Sequence, residues 1–495
     1  EDGIRDFCLS RGLGDVYKTQ ALLAAGVLSA CSMAPKYVRP DAPVAADYGV
    51  QSKADNNQVR AVDIGWRNFF TDPRLQVLIT NALVNNRDLR VAALRIEEAR
   101  AQYNIQSADL LPTLNANATG SRGRVPASIS NTGSSVVSSN YQVGLGLAAF
   151  ELDFFGRVRS LSDAALAAYL STEEAQRAAQ ISLVSEVAKA YLSERSFAEQ
   201  QDLARQTYES RVEAYKLSKQ RFEVGASSAL DLRNDEALLQ TARATELAAQ
   251  RQRAQAMNAL TLLVGQPLTD LPPPQPLSSQ NILTDIPAGL PSDLLTQRPD
   301  IRSAEQTLLS ANANIGAARA AFFPRISLTA GLGTSSNELS GLFEGGSRSW
   351  SFAPQLVLPI FDAGRNRGNL NLAEVRKDIA VANYEKSIQV AFREVSDALV
   401  ARDLLDEQIE AQRLVQEAQA ERFKFATQRF QNGIASSLDV LDAQRELFTA
   451  QLTLVQARLL RLTNAVDLYR SLGGGLVETT VATAPAATPA PAPTK

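Results

Sequence analysis

Two stretches of the chain, RFEVGASSALD from Arg221 to Asp231 and RFQNGIASSLD from Arg429 to Asp439, are nearly identical. They share Arg, Phe, Gly, Ser, Leu and Asp in register. Each glycine follows a segment rich in helix-forming residues, and each Ser-x-x-Asp precedes another such segment. Glycine commonly ends a helix and Ser-x-x-Asp commonly begins one. Each stretch is therefore predicted to be the tip of an antiparallel helical hairpin.

The segments around these tips predict unusually long helices. Residues 158–222 contain no Pro or Gly, and 365–430 contain no Pro and only Gly368 in the first turns. Roughly 65 residues at a rise of about 1.5 Å predict rods of about 100 Å. Return helices are predicted at 229–264 and 437–472. Apolar residues recur at three- and four-residue steps, which favours packing of the coiled-coil type.

Two hairpins of β-strands are predicted between the helices. A helical stretch at about 75–110 precedes the first hairpin, at 111–155, and the second lies at 323–361. Both contain partly alternating apolar residues in strands about ten residues long, the length of a tilted transmembrane strand. Taken alone, either hairpin is explained better by a surface position on a soluble domain.

The body of the chain consists of two copies of one plan: helix, β-hairpin, long helix, tip and return helix. The repeats are predicted at 65–270 and 294–475, with tips near Gly225 and Gly433. A Pro-rich linker at 271–293 separates them. An Ala/Pro-rich tail at 476–495 is predicted to be disordered, because its composition offers little to bury. An internal duplication therefore explains the repeated tips.

Composition argues against several classes of function. The net charge is −3 and histidine is absent, so the chain lacks the basic field that nucleic-acid binding needs and the usual histidine chemistry. The two cysteines, Cys8 and Cys31, precede the main body. No phosphate-binding loop, nucleophile elbow or metal-ligand motif occurs. We expect no enzymatic activity, no cofactor and no metal site.

The N-terminal region predicts export and lipidation. The stretch ALLAAGVLSAC ends at Cys31 and has the length of a signal-peptide core, too short to span a bilayer. Its last four residues look like a bacterial lipobox, so 1–30 is predicted to be a signal peptide and 31–64 a lipidated linker. Ser32 favours the outer membrane. The alternative is a short buried helix. The acidic stretch 1–17 does not suit a signal peptide and is interpreted as foreign to the natural protein.

Four strands cannot close a barrel, and an open sheet edge is not tolerated in lipid because its backbone groups would lack partners. Two subunits would give an eight-stranded barrel filled by side chains, whereas three would give twelve strands and leave a channel. The sequence therefore predicts a membrane α+β fold. It consists of a trimeric 12-stranded β-barrel, with four strands per subunit, continued by a long periplasmic α-helical coiled-coil barrel.

The chain resembles the outer membrane factor family, the TolC-like exit ducts, and specifically their lipoprotein efflux branch. The resemblance rests on the lipobox, the duplicated plan, the two R-F-x-x-G-x-x-S-x-L-D tips, and the junctions FELDFFGRVR (150–159) and PIFDAGRNRG (359–368). It covers about Met33 to Gly475. It implies a lipid-anchored homotrimer in the bacterial outer membrane with a large periplasmic portion. Such a channel would passively conduct small molecules, such as drugs and toxic organics, from an inner-membrane RND-type pump and a periplasmic adaptor protein.

The resemblance also assigns a periplasmic gate near the tips. By distance from the tip glycines, the gate residues are Asp442, Asp439, Leu438, Asp231 and Arg445. Three symmetry-related Asp442 carboxylates would repel each other near one axis and attract cations. Asp231 and Asp439 are explained equally well as helix caps, and Asp442 as part of a solvated helix face. Arg445 is expected to reach a carboxylate on an adjacent helix.

Adaptor docking is the second role that the resemblance assigns to the tips. The docking residues are Arg221, Phe222, Gly225, Arg429, Phe430 and Gly433. The two arginines either bridge to neighbouring helices or only compensate the helix dipole. Family members often have tyrosine at the position of Phe430, and some have arginine at the position of Ala435. A gate lock that uses those side chains is therefore absent here.

Two alternatives remain at this stage. The first is an exit duct for type I protein secretion, which shares the plan of the helices and strands. The second is a non-porous, lipid-anchored coiled-coil scaffold, which accounts for the long helices and the lipobox but gives no reason for the two β-hairpins.

Overall fold

The structure, a computed structural model, describes residues 32–48, 60–131, 133–283, 286 and 291–480. The predicted signal peptide, the lipidation site Cys31 and most of the predicted C-terminal tail lie outside these residues.

Helices and strands follow one another along the described chain in two similar series. The helices are α1 (Trp66–Phe69), α2 (Pro73–Asn85), α3 (Arg87–Ala108), α4 (Arg157–Glu223), α5 (Ala229–Val264), α6 (Pro291–Gln297), α7 (Pro299–Ala320), α8 (Arg365–Gln431) and α9 (Ser437–Ser471). The strands are β1 (Leu114–Val125), β2 (Val136–Glu151), β3 (Arg325–Ser336) and β4 (Arg348–Val357). Within the described residues, none of the helices has both the length and the apolar content needed to cross a bilayer.

The chain forms two compact units. The first comprises the described residues up to Pro40 with 95–172 and 304–384, and the second comprises those of 41–94, 173–303 and 385 onward. Each unit draws on both halves of the sequence. The two sequence repeats therefore do not fold as separate units.

The helical stretch predicted at 75–110 is two helices, because Asn86 interrupts it. The backbone of Asn86 is extended, with φ −62° and ψ 131°. Its side-chain oxygen accepts a hydrogen bond from Leu89 N at 2.9 Å, as an N-cap does, and its amide donates to the Leu263 carbonyl at 2.8 Å. One buried asparagine thus ends α2, begins α3 and holds both against the end of α5.

An aromatic cluster forms part of the core of the second unit. The rings of Phe69 and Tyr469 stack with their centroids 4.0 Å apart, and Phe70 meets both rings edge-on. All three side chains are buried, together with Trp66. The Tyr469 hydroxyl donates to the Ile64 carbonyl at 2.6 Å, so its polar atom is satisfied inside the core.

In the tail predicted to be disordered, the described residues 476–480 contact the start of α1. The backbone N–H groups of Trp66 and Arg67 donate to the carbonyls of Val477 and Glu478 at 2.9 and 3.1 Å. The Arg67 guanidinium also donates to the Glu478 carboxylate at 2.6 Å. The first N–H groups of a helix have no partner within it. Here the C-terminal segment supplies those partners for α1.

In the first unit, the segment after Cys31 is fastened to α7. Arg39 forms a two-pronged ion pair with Glu305, at 2.7 and 2.9 Å, and the Tyr37 hydroxyl donates to the same carboxylate at 2.9 Å. Asn312 donates to the Pro35 carbonyl at 2.8 Å. This part of the predicted linker therefore has a defined position on the unit.

The strands of the first unit form one antiparallel sheet in the order β1-β2-β3-β4. Its register separates two faces. Near the turns of the two hairpins the apolar face carries Arg122, Arg124 and Arg348, and over the rest of the sheet it carries Leu114, Ala116, Ala118, Val143, Leu145, Leu147, Leu328, Ala330, Leu332, Trp350, Phe352 and Leu356. The opposite, polar face carries Asn115, Asn117, Thr119, Ser121, Ser138, Asn140, Gln142, Gly144, Gly146, Thr329, Gly331, Gly333, Ser335, Ser349, Ser351 and Ala353.

The two faces suit different surroundings, the apolar face lipid and the polar face water. On the apolar face Leu145, Leu332 and Trp350 are 59%, 68% and 79% exposed. The polar face carries one charged pair, Arg325 with Glu151, at the ends of β3 and β2 nearest the helices, and its other residues named above are uncharged. An exposed apolar face opposite a polar one is the alternation expected of strands between lipid and an aqueous lumen.

Candidate functional site

Both tips close with the same backbone motif. At the end of α4, Ala226 N donates to the Arg221 carbonyl at 2.7 Å and Gly225 N to the Phe222 carbonyl at 3.0 Å. At the end of α8, Ile434 N donates to Arg429 at 2.9 Å and Gly433 N to Phe430 at 3.0 Å. These pairs define Schellman motifs. Gly225 and Gly433 both have φ of +72°, the left-handed conformation that glycine adopts without strain.

Replacing Gly433 by alanine should destabilise its tip by about 1 kcal/mol, because a side chain disfavours the left-handed conformation. Hydrogen–deuterium exchange on the full protein measures this as faster exchange of the Ile434 amide. Gly368→Ala is the matched control, since Gly368 lies in the first turns of α8 with open space around its Cα. It should leave the tip unchanged. An unaltered Ile434 amide in Gly433→Ala would contradict the assignment.

Asp231 and Asp439 are helix caps in this structure. The Ser228 hydroxyl accepts from Asp231 N at 3.1 Å, and Ser228 N donates to the Asp231 carboxylate at 3.2 Å. Ser436 and Asp439 form the same reciprocal box, at 3.3 and 2.9 Å. Hydrogen bonds from the Ser436 side chain and backbone lower the pKa of Asp439. The cap therefore persists at neutral pH and is lost in acid, as the pH falls through that lowered pKa.

Asp442 joins the two helices of the second hairpin. Its carboxylate accepts from Arg422 of α8 at 2.7 Å and from Arg445, one turn further along α9. Arg445 also contacts Glu446. The expectation that Arg445 reaches an adjacent helix thus differs from the structure, because i,i+3 spacing brings it to Asp442 on its own helix.

Arg422 was missed by the sequence reasoning, although a signal for it exists. Arg422 lies eleven residues before Gly433 and Asp442 lies nine after it. Residues at similar distances from a hairpin tip face each other across the two helices. A search for opposite charges at such positions would have found this pair.

The two tips contact each other through one residue of each that is predicted to dock the adaptor. The Arg221 guanidinium lies over the Phe430 ring, 5.9 Å from its centroid. An arginine over an aromatic face is stabilised by the negative charge of the ring. Arg221 therefore does more than compensate the dipole of α4.

The tips also expose four apolar side chains, of which the sequence reasoning singled out only Leu438. Val224, Leu230, Ile434 and Leu438 are 68–78% exposed. We call these four residues the tip patch. Clustered exposed apolar side chains mark interaction surfaces.

Comparison with known proteins identifies the family. The family model described as outer membrane efflux protein matches residues 78–266 and 290–474. The chain is 51% identical over 461 residues to outer membrane protein OprJ of Pseudomonas aeruginosa, covering 93% of this chain and 96% of OprJ. It is 48% identical over 470 residues to the toluene efflux pump outer membrane protein TtgC of Pseudomonas putida, covering 93% and 97% of the two chains.

A solved structure agrees with these matches. The outer membrane channel MtrE of Neisseria gonorrhoeae, in its open state, superposes with a TM-score of 0.83 at 44% identity, covering 91% of this chain and 100% of MtrE. Together the matches confirm the outer membrane location, the efflux-channel function and, for the single chain, the fold class predicted from the sequence. The chain belongs to the outer membrane efflux protein family.

Proposed function

We propose that three copies of this chain form a passive efflux conduit through the outer membrane and the periplasm. The observation that carries the proposal is the sheet of the first unit. It has an exposed apolar face, a polar face that is uncharged apart from the Arg325–Glu151 pair at its helical end, and two edge strands, β1 and β4, that each pair on one side only among the described residues. Exposed edges cannot persist in lipid. Pairing β1 of each copy with β4 of the next gives a closed barrel of twelve strands.

We infer that the conduit carries small organic molecules delivered by other proteins. Relatives are named as toluene and solvent efflux pump components. Apart from the Arg325–Glu151 pair, whose charges balance each other, the polar face offers small uncharged side chains and therefore no net charge that would select one class of solute. Energy and selection would come from an inner-membrane RND-type pump, and this chain would perform no catalysis. The tip patch would dock a periplasmic adaptor by burying its apolar side chains.

We further propose that Asp442 holds the tips in a closed arrangement. Both of its oxygens accept from arginines, and its side chain is 35% exposed. A carboxylate neutralised in this way acts by linking α8 to α9 and not as a bare negative charge. Opening the tip would require the link to Arg422 to break, because that link joins the two helices of the hairpin. Asp231, Asp439 and Leu438 would complete the constriction.

Asp442→Ala should raise the single-channel conductance of the purified trimer in planar bilayers. An exposed ion pair contributes about 0.2–1 kcal/mol, and each of three subunits loses the one pair, with Arg422, that links α8 to α9. The combined loss shifts a closed–open equilibrium by roughly tenfold or more, since every 1.4 kcal/mol is about a factor of ten. The occupancy of conducting states at fixed voltage measures the shift.

Asp406→Ala is the matched control for this experiment. Asp406 of α8 pairs with Arg461 of α9, so its replacement removes an ion pair between the same two helices away from the tip. We expect the Asp406→Ala trimer to have the same conductance as the parent protein. If Asp442→Ala forms a folded trimer with the conductance of the parent protein, the gating role is wrong.

The two alternatives and the predicted lipidation rest on different observations. A non-porous scaffold would not need a sheet with one apolar and one polar face, so the geometry favours the channel. The names of the relatives favour efflux over type I secretion. Lipidation of Cys31 stays a prediction, which metabolic labelling with palmitate, lost in Cys31→Ser, would test. The fastening of Tyr37 and Arg39 to α7 supports it by giving the lipid-bearing segment a fixed position.

A further inference from the structure

A cavity of about 340 Å³ lies between α4, α5 and α9 of the second unit. Its walls are mainly apolar, formed by Leu238 of α5 and by Leu441 and Phe448 of α9. Its volume falls within the range of small-molecule sites. Arg211 of α4 also lines the cavity.

Arg211 is an unusual residue for such a wall. It is only 7% exposed, and its Nη1 is buried without a hydrogen-bond partner in the part of the chain that the structure describes. Burial lowers the pKa of the guanidinium, and the nearby Asp235 charge partly opposes this effect. An arginine nevertheless keeps its proton at neutral pH. A buried, unpaired positive charge is costly, so a missing anionic partner would relieve it.

The other polar groups of the wall are already engaged. The hydroxyls of Thr207, Thr241 and Thr245 each donate to a carbonyl of their own helix, at 2.8–2.9 Å. Gln444 donates to Ser210 at 3.0 Å. Asp442 accepts from two arginines. Among the polar side chains considered, Arg211 is therefore the one whose N–H donor a ligand would satisfy.

We infer that this cavity binds an amphiphilic anion, with its oxyanion head group on Arg211 and its hydrocarbon portion against Leu238, Leu441 and Phe448. A guanidinium pairs with the two oxygens of a carboxylate or sulfonate through parallel hydrogen bonds. The paired Asp442 carboxylate does not repel the head group as a free charge would, since Arg422 and Arg445 neutralise it. The apolar walls exclude a purely polar ion such as phosphate as the best occupant. Leu438, Asp442 and Arg445 of the proposed gate also line this cavity, so a bound anion would lie beside the gate.

The test is calorimetric titration of octanoate into the full-length protein in lipid nanodiscs, with empty nanodiscs subtracted. We expect saturable binding at one site per chain, weakened at least tenfold in Arg211→Met. Methionine keeps most of the length and removes only the charge, and replacing an unpaired buried charge should not impair folding. Arg205→Met is the matched control, because Arg205 lies on the same helix but is exposed and faces Asp202 and Glu209. It should bind octanoate like the parent protein.

Two further experiments test the contributions of the head group and of the hydrocarbon separately. Octyltrimethylammonium, which has the same chain and the opposite charge, should show no saturable binding. Leu238→Trp, which fills the cavity and retains Arg211, should abolish octanoate binding. The inference is overturned if octanoate binds Arg211→Met as tightly as the parent, or fails to bind the parent at all. It is equally overturned if inorganic phosphate displaces octanoate at equal concentration. These outcomes are read from binding alone, so the gating role of Asp442 is tested separately by its own conductance experiment.

Discussion

Replacing Arg298 by alanine should lower the apparent free energy of unfolding by about 3 kcal/mol, the lower end of the range for removing one partner of a buried ion pair, because the Asp300 side chain is 44% exposed. The Arg298 side chain is 7% exposed. Its Nε and Nη2 donate to the two oxygens of Asp300 at 3.0 and 2.6 Å. Its Nη1 donates to Glu394 at 2.9 Å and to the Ser471 carbonyl at 3.0 Å. One guanidinium thus joins the beginning of α7, the middle of α8 and the end of α9.

Alanine at this position would leave two carboxylates and a helix-terminal carbonyl without their donor. Unfolding in guanidinium chloride, followed by helical circular dichroism of the purified protein, measures the loss. Arg393→Ala is the matched control, because Arg393 faces Asp397 at 3.9 Å with both side chains at least 70% exposed. Exposed pairs contribute about 0–1 kcal/mol. Coincident unfolding curves for Arg298→Ala and the parent protein would refute the prediction.

The stabilising effect of Arg298 should depend on pH. Burial alone raises the pKa of Asp300, but the hydrogen bonds and charge of Arg298 outweigh it and lower the pKa below its usual value. A carboxyl with a lowered folded-state pKa contributes its stability above the unfolded pKa of about 3.9 and loses it as the pH falls through the lower value. The difference in the free energy of unfolding between Arg298→Ala and the parent protein should therefore become smaller below about pH 4.

Replacing Gly333 by valine should prevent the sheet of the first unit from forming in its register. Gly333 of β3 pairs directly with Gly144 of β2. A Cβ on Gly333 would lie 2.2 Å from the Val143 carbonyl oxygen and 2.6 Å from the Gly144 Cα. Both neighbours are backbone atoms, so no rotation of a side chain relieves the overlap. A shift by one residue would exchange the apolar and polar faces.

The expected result for Gly333→Val is loss of the heat-labile trimer on detergent gels and of protein from the outer membrane fraction. Gly123→Val provides the matched control. Gly123 lies in β1 on the same face of the sheet, and a Cβ there meets no atom within 4 Å. It should yield trimer normally. A heat-labile trimer of Gly333→Val in parental amounts would show that strands β2 and β3 do not pair in this register.

The tips show which features could be predicted from the sequence. Their Schellman motifs and capping boxes involve residues three to five positions apart. Both partners of such an interaction lie within one or two turns of each other, so residue types at a fixed spacing are sufficient to predict it. The same holds for the two long helices, whose composition excludes the residues that interrupt helices.

The contacts of the gate could be predicted only in part. The position of Asp442 follows from its distance to the tip glycine, but its two partners depend on how α8 and α9 are rotated about their axes. That rotation is decided by side-chain packing along the whole hairpin. Arg445 consequently meets Asp442 on its own helix instead of a neighbouring helix.

By itself, the sequence determined the order of the helices and strands, the turns at Gly225 and Gly433, and membership of the efflux family, because each depends on local spacing repeated twice. The tertiary structure decided the remaining features. It placed Arg298 between residues 96 and 173 positions away, paired the segment at Val477 with the start of α1, and left the buried Nη1 of Arg211 without a hydrogen-bond partner among the described residues. These contacts join distant segments, and no local pattern encodes which side chains meet when the segments pack.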